Sequence, residues 1–545
     1  MERYSSSQAS PPGAAAPPES PAPGTASELE IDHTGRSRMA WNVVASWAGH
    51  AVFIVAGFIM PRFIDRRIGQ EALGVWDFAW SLVGYFGLVE LSVGSSLGRY
   101  VAKHRAARDT DSLDRAVSNA LVLQLVAAVL VMMLALGFSM VLPRVFGARL
   151  GQHAADAQAV VMLLGASLAL QLAFDVYHGV ISGCHRWDLH NAINAGFYAL
   201  IVAGMIVAVA NGGGLASLAL VNFVGVVFTE LTRRAVARRV CPELRIRLRA
   251  ASRGEMRRLL VFGAKSSVDG LAGQVLFQGN SILIASIIGP AALAVYSRSF
   301  ALVRHVENLV NKFAHVLTPM ASSLQAQGQQ DKLRALLLDS GRIASCLTFP
   351  MVVGLTILGT PLLRLWMGPR YEHGLVLAIL AIGSCLAISQ RPAMTILIGM
   401  NLHGRMSFVN LALSAFGLGF SALAVGDWGW GLPGAALGLA LARCVGRGLL
   451  IPAFACRRLG VPLSDYARGV ALAPALYVLP FALVLGAIRA LLAERPLAAL
   501  LCAAAFGSLA LLPVYWFRVL TEDQRRYARE LLSRRIGALS ASAAT

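Results

Sequence analysis

The sequence predicts an all-α polytopic membrane protein of about 14 transmembrane helices: two repeated six-helix lobes around a central cavity, followed by two C-terminal helices. Composition is the first reason. Of 545 residues, 56% are hydrophobic and only 14% charged, with a mean hydropathy of +0.62. Too little polar surface remains to solvate a globule of that length. The second reason is the succession of mostly apolar runs, each near the ~20 residues that cross a bilayer as a helix and mostly joined by short polar connections. The third is a repeat: Ile68-Gly69-Gln70-Glu71-Ala72-Leu73-Gly74-Val75-Trp76 returns as Ile288-Gly289-Pro290-Ala291-Ala292-Leu293-Ala294-Val295-Tyr296. Each copy closes one apolar span and opens the next, the mark of a duplicated bundle that alternates access between two halves. Barrel strands would alternate over about ten residues, so continuous apolar runs exclude a β-barrel.

Taken in order, residues 1–38 form a tail rich in Pro, Ala, Ser and Gly, expected to be disordered, cytoplasmic and retained, because no apolar segment with a small-residue cleavage site opens the chain. Residues 39–235 are expected to form the first lobe, with spans near 40–60, 74–97, 116–142, 157–181, 190–211 and 214–232. A basic cytoplasmic linker, 236–265, leads to the second lobe, 266–458, with spans near 266–288, 291–319, 341–359, 374–400, 405–426 and 429–454. Two more spans near 469–490 and 496–518 lie within 459–520, and 521–545 is a basic cytoplasmic tail. Arg525, Arg526, Arg529, Arg534 and Arg535 there suit either an interfacial helix or a solvated end.

Orientation follows from the basic residues. Arg233, Arg234, Arg238, Arg239, Arg245, Arg247, Arg249, Arg253, Arg257, Arg258 and Lys265 gather between the sixth and seventh spans. With both termini cytoplasmic, this cluster is inside and the opposite face is poor in charge. Topology and anionic lipid heads thus explain the formal net charge of +19 without nucleic acid. The seven cysteines, at 184, 241, 346, 385, 444, 456 and 502, form no CxxC pair and no His-rich cluster, so neither zinc nor a disulfide framework is expected.

Ionisable residues inside spans carry the functional signal, since each costs roughly 2.5–3.5 kcal/mol at mid-bilayer unless hydrated or paired. The eighth span concentrates them. Arg298, His305, Asn308, Lys312 and His315 recur at helical spacing on one face, with Arg304 and Asn311 on its flank. This basic stripe should line a hydrated cavity and suits an anionic substrate such as a phosphorylated lipid head. A competing reading has Arg298 and Lys312 snorkelling to opposite interfaces while Arg304 pairs with Glu307. Weaker polar faces are Asn42, Ser46 and His50 on the first span, Gln171, Asp175 and His178 on the fourth, and Gln274, Gln278 and Asn280 on the seventh. Each set reads as interhelical glue or as substrate contact. Arg391, before Pro392, sits where a helix can kink and a cation can reach the cavity. Asp77, Glu90, Asp175 and Asp269 are the candidates for coupling to a proton or sodium ion, against a reading as solvated or salt-bridged carboxylates.

At further positions the chain resembles a known family. The first repeat, continuing through Ser81-Leu82-Val83-Gly84-Tyr85 to Gly94-Ser95-Ser96-Leu97-Gly98-Arg99-Tyr100-Val101-Ala102, is similar to the opening signature of bacterial polysaccharide-biosynthesis flippases of the multidrug/oligosaccharidyl-lipid/polysaccharide exporter superfamily. Further similarities are Gly289 to Tyr296, Leu363-Arg364-Leu365-Trp366-Met367-Gly368 before Tyr371, and Gly431-Leu432-Pro433-Gly434-Ala435-Ala436-Leu437-Gly438. The resemblance implies two six-helix lobes, often with two extra helices, that flip polyprenyl-diphosphate-linked oligosaccharides from the cytoplasmic to the outer leaflet of the bacterial inner membrane, commonly through a cationic lumen. One departure stands out: Gly279-Asn280-Ser281 occupies the place where many members carry an acidic-basic pair, so no charge is carried over there.

The substrate-binding candidates are therefore Arg298, Arg304, His305, Asn308, Lys312, Arg391, Asn42, His50 and Gln278. The expected partners are the lipid-linked oligosaccharide, membrane lipids and other polysaccharide-assembly proteins, with no nucleic acid, no cofactor and no catalytic residue. A multidrug exporter of the same superfamily, coupled to protons or sodium, is the main alternative, although its cavity should favour carboxylates and aromatics. A membrane glycosyltransferase or polymerase would present a substantial outward loop or an acidic cluster, and a scaffold would not explain polar residues buried in several spans. No GxxxxGK[ST] loop supports ATP hydrolysis by this chain.

Overall fold

The apolar runs form helices, and glycines with positive φ, such as Gly69, Gly289 and Gly368, stand at several of the turns between them. The computed structural model describes residues 36–89, 93–245, 253–519, 522, 525, 526, 529 and 530; within these, the side chains of 36–48, 50, 93–96, 253, 255 and 257–269 are outside the description. The expected tail 1–38 therefore falls almost wholly outside the described residues, as do Glu90 and residues 246–252 of the expected basic linker, while the rest of that linker includes the end of one helix and the start of the next; for Asn42, Ser46, His50 and Asp269 only the backbone is described.

The first half consists of α1 (Arg36–Arg67), α2 (Gln70–Phe86), α3 (Val93–Ala106), α4 (Thr110–Leu150), α5 (Ala154–Gly183), α6 (Trp187–Ala210) and α7 (Leu215–Val240). The second consists of α8 (Arg253–Ile287), α9 (Pro290–His315), α10 (Leu317–Ala326), α11 (Gln330–Trp366), α12 (Gly374–Ser389), α13 (Arg391–Gly399), α14 (Gly404–Gly426), α15 (Gly431–Arg443), a π-helical stretch Cys444–Leu450, and α16 (Ile451–Leu459). After these come α17 (Leu463–Tyr466), α18 (Ala473–Tyr477), α19 (Leu479–Leu491) and α20 (Pro496–Arg518). Eleven stretches of the described residues are long and apolar enough to cross a membrane, and one of them, Thr110–Gly183, holds two helices. The expected count of about fourteen is larger. Among the expected spans, α9 is not one of the eleven: Arg298, Arg304, Glu307 and Lys312 lower its apolarity.

The sequence repeat is a structural one. After α1, Ile68 and Gly69 both donate their N–H to the Ile64 carbonyl; after α8, Ile288 and Gly289 both donate to that of Ile284. Gly69 (φ 112°) and Gly289 (φ 125°) hold the backbone conformation that ends one helix and opens the next, which a side chain would strain. The duplication reaches further than the sequence shows. The turn at Ala107, Arg108 and Asp109 has the hydrogen-bond pattern of the turn at Gln327, Gly328 and Gln329, and Cys184-His185-Arg186 has that of Met400-Asn401-Leu402. Arg108, His185 and Asn401 are the three non-glycine residues with positive φ among those described.

The halves cross where the repeats meet. A Cβ on Gly74 of α2 would stand 1.8 Å from the Pro290 carbonyl oxygen of α9, so only glycine lets these helices touch. Around this crossing, Trp366 Nε1 donates to the Phe58 carbonyl (2.7 Å), Arg62 Nη1 to the Leu365 carbonyl (2.7 Å), and the Tyr371 hydroxyl to Asp65 Oδ1 (2.6 Å). These contacts tie the end of α1 to the end of α11 and close one end of the bundle. α19 and α20 pack on α11 and expose Leu483, Leu491, Leu501, Leu509 and Phe517, as a lipid-facing surface does.

Gly74→Ala should lower the unfolding midpoint of the detergent-solubilised protein, at a cost of about 1–3 kcal/mol for overpacking. Gly57→Ala, whose Cβ meets nothing within 4 Å, should leave that midpoint in place.

Candidate functional site

α2, α8 and α9 form most of the wall of a cavity of about 750 Å³ between the two halves, completed by Arg391 at the start of α13 and Arg447 in the π-helical stretch. Its volume lies within the ~300–1,000 Å³ of ordinary ligand sites. Four arginines line it, Arg298, Arg304, Arg391 and Arg447, against two carboxylates, Asp77 and Glu307. That leaves a formal excess of two positive charges. Gln274, Gln278, Asn308 and Asn311 add amides, while Trp80, Phe277 and Phe300 add apolar faces.

Both carboxylates are already engaged. Arg298 Nη2 donates to Asp77 Oδ1 (2.6 Å) and Oδ2 (2.8 Å), an ion pair that joins α9 of one half to α2 of the other, with side-chain exposures of 9% and 13%. Glu307 takes Arg443 Nη2 at 2.9 Å and stands 3.9 Å from Arg447 Nη1. Arg443 is buried on α15, and its guanidinium also lies 5.2 Å from the centre of the Phe277 ring. The π-helical turn beside it belongs to the kind of helix irregularity that commonly marks functional positions. Arg304 differs: it is exposed to the cavity and, among the described residues, has no ion pair. It is the cation most available to a ligand.

The expected polar face of α9 is rotated in the structure. Arg298, Arg304, Asn308 and the flanking Asn311 line the cavity, centred near Arg304, whereas His305 and Lys312 lie outside that lining. The His305 ring stacks on Phe58 of α1 at 5.4 Å, and Phe58 also lies against Trp366. Gln278 lines the cavity and donates to Gln274 Oε1 (3.0 Å); its amide lies over Gly84 of α2, where a Cβ would come within 2.4 Å. Arg391 reaches the wall because the helix breaks at Gln390, with Pro392 in the first turn of α13. Asp175 stands in a separate network inside the first half. Glu307 serves Arg443 and Arg447, not Arg304. The sequence reading did not single out these two arginines; their spacing of four within an otherwise apolar run was the available signal.

A family described as polysaccharide biosynthesis protein matches residues 88–375. A Shigella flexneri protein provisionally named an O-antigen transporter is 22% identical over 337 residues, covering 61% of this chain and 76% of that one. In fold, the chain is similar to the lipid II flippase MurJ in an inward closed conformation, with a TM-score of 0.64 at 12% identity over 90% of this chain and 100% of that one. It is also similar to an inward-facing multidrug resistance MATE transporter of the MOP superfamily, with a TM-score of 0.63 at 17% identity over 76% of this chain and 96% of that one.

Glu307→Gln should destabilise the protein by about 3–5 kcal/mol, because Arg443 would remain buried without its anion. Adding Arg443→Met should restore much of the loss, as read from unfolding midpoints of the single and double variants.

Proposed function

The chain belongs to the polysaccharide biosynthesis protein family, and on that premise we propose that it is a flippase for polyprenyl-diphosphate-linked oligosaccharide. It carries this lipid from the cytoplasmic to the outer leaflet of the bacterial inner membrane by alternating access, without covalent chemistry. The observation that carries the reading is the cationic excess of the cavity, with Arg304 unpaired among the described residues. A diphosphate away from bulk water needs compensating charge, and a guanidinium supplies it with directed donors.

The proposed topology puts both termini in the cytoplasm, so the end closed by Trp366, Tyr371 and the Gly74–Pro290 crossing faces outward. The diphosphate and first sugars enter from inside and meet Arg304, Arg391 and Arg447, with Asn308 and Gln278 beside them, while the polyprenyl tail remains in lipid. Arg298 is held by Asp77 in this state and reaches the phosphates only by exchanging that partner. Opening outward then requires α2 and α9 to part. A multidrug exporter is the second reading, supported by the aromatic side chains Trp80, Phe277 and Phe300; against it, arginines hold both cavity carboxylates that would attract a cationic drug.

In cells depleted of the protein, a complete lipid-linked oligosaccharide should accumulate facing inward, inaccessible to an impermeant glycan-modifying enzyme. Wild-type protein should clear it. Arg304→Gln should be expressed and folded as wild type yet slow clearance about tenfold or more, as loss of a charge-assisted contact of ~1.5–3 kcal/mol implies. An unchanged lipid pool with raised sensitivity to cationic drugs would overturn the flippase reading.

A further inference from the structure

The helix that delivers Arg391 to the cavity is broken one residue earlier, and backbone bonding alone does not fix the angle at the break. Pro392 has no N–H to give the Ile388 carbonyl, so one rung between α12 and α13 is missing. The Gln390 N–H still reaches the Leu386 carbonyl of α12 (2.9 Å), whereas the Ala393 N–H bonds the Gln390 carbonyl (3.1 Å) and belongs to the first turn of α13. Thr395 Oγ1 donates to the Arg391 carbonyl (3.0 Å), which stiffens that turn without tying it to α12.

The tie comes from side chains. The Ser389 hydroxyl donates to the Leu386 carbonyl (3.1 Å), so its oxygen is left to accept from Gln390 Nε2 (3.1 Å). That turns Gln390 Oε1 away from Ser389, and the Tyr466 hydroxyl donates to it. Ser389, Gln390 and Tyr466 are all buried, the glutamine with 3% exposure. Tyr466 belongs to α17, on the way from the second half to α19 and α20. It is held firmly there. It shares one apolar cluster with Leu337 of α11, Met394 and Leu397 of α13 and Leu459 of α16, and a Cβ on Gly341 of α11 would come within 3.3 Å of its hydroxyl oxygen. Arg334 Nε donates to the Leu459 carbonyl (2.7 Å), fixing the turn at Gly460 (φ 66°) that leads into α17.

We infer that Tyr466 is a positioning residue for the binding site: its hydroxyl, through Gln390, sets the angle at the α12–α13 break and thereby where Arg391 stands in the cavity. This rests on the flippase reading, in which Arg391 meets the diphosphate. It gives the segment after the second half a part in recognition, although none of its described residues lines the cavity. Without the hydroxyl, Gln390 Oε1 is buried with no donor, and the amide must turn or draw water into the break. Either change displaces the backbone next to Arg391. A guanidinium holds phosphate through directed donors, so a shift of about 1 Å is enough to weaken the contact.

The test is calorimetric binding of farnesyl diphosphate, a short polyprenyl diphosphate, to the full-length protein in detergent. Arg391→Gln should weaken binding about tenfold, as loss of one charge-assisted contact implies. Tyr466→Phe should weaken it about threefold or more, but should have no further effect in the Arg391→Gln background, because it acts through that residue. Gln390→Met removes the same bond from its other end and should reproduce the loss, with nothing added by Tyr466→Phe. A general loosening of the fold would instead weaken binding by the same factor with or without Arg391. If farnesyl diphosphate does not bind, or binds Arg391→Gln as it binds wild type, the cavity reading falls and the positioning role with it. Binding that drops with Arg391→Gln yet is unmoved by Tyr466→Phe or Gln390→Met, or that Tyr466→Phe weakens equally in both backgrounds, would overturn the positioning role alone.

Discussion

The charges described within this bundle answer to one constraint: a charge within a membrane-spanning structure must be paired or kept wet. Arg298 with Asp77, Arg443 with Glu307, and Arg233 with Glu230 are the paired cases, and each involves an arginine whose fork can satisfy a carboxylate at short range. Arg304 is the wet case. Because pairing absorbs the anions, the cavity is left with net positive charge.

The duplication gives the constraint a mechanical form. Two copies of one helix-turn-helix element cross at Gly74 and Pro290, close enough that a single methyl group would separate them. The Asp77–Arg298 pair lies on the same two helices, so the tightest steric contact and a buried interlobe ion pair act on one joint. Parting the two halves along α2 and α9 would have to break both.

The first half contributes a different element. Its polar chain from Gln124 through Asp175, His178, His190, Asn194 and Arg233 to Glu230 uses its donors and acceptors so specifically that the tautomer of His190 follows from the single fact that arginine cannot accept. Such networks rigidify the helices they connect.

Much was legible from sequence because bilayer physics is linear in the chain: apolar runs, glycine at the repeated turns and polar residues in α9 each report locally on burial and helix ends. Ile68-Gly69 and Ile288-Gly289 announced the duplication, and Arg298, Arg304, Asn308, Gln278 and Arg391 do line the cavity. Tertiary structure decided the rest. Helical periodicity groups residues on a face but does not say which neighbour that face meets, so His305 and Lys312 fell outside the cavity lining and Arg304 moved from flank to centre. Pairing depends on helices far apart in sequence: only packing brings Asp77 to Arg298, Glu307 to Arg443, and His178 onto His190, and those distances determine which charges are consumed and which remain to act.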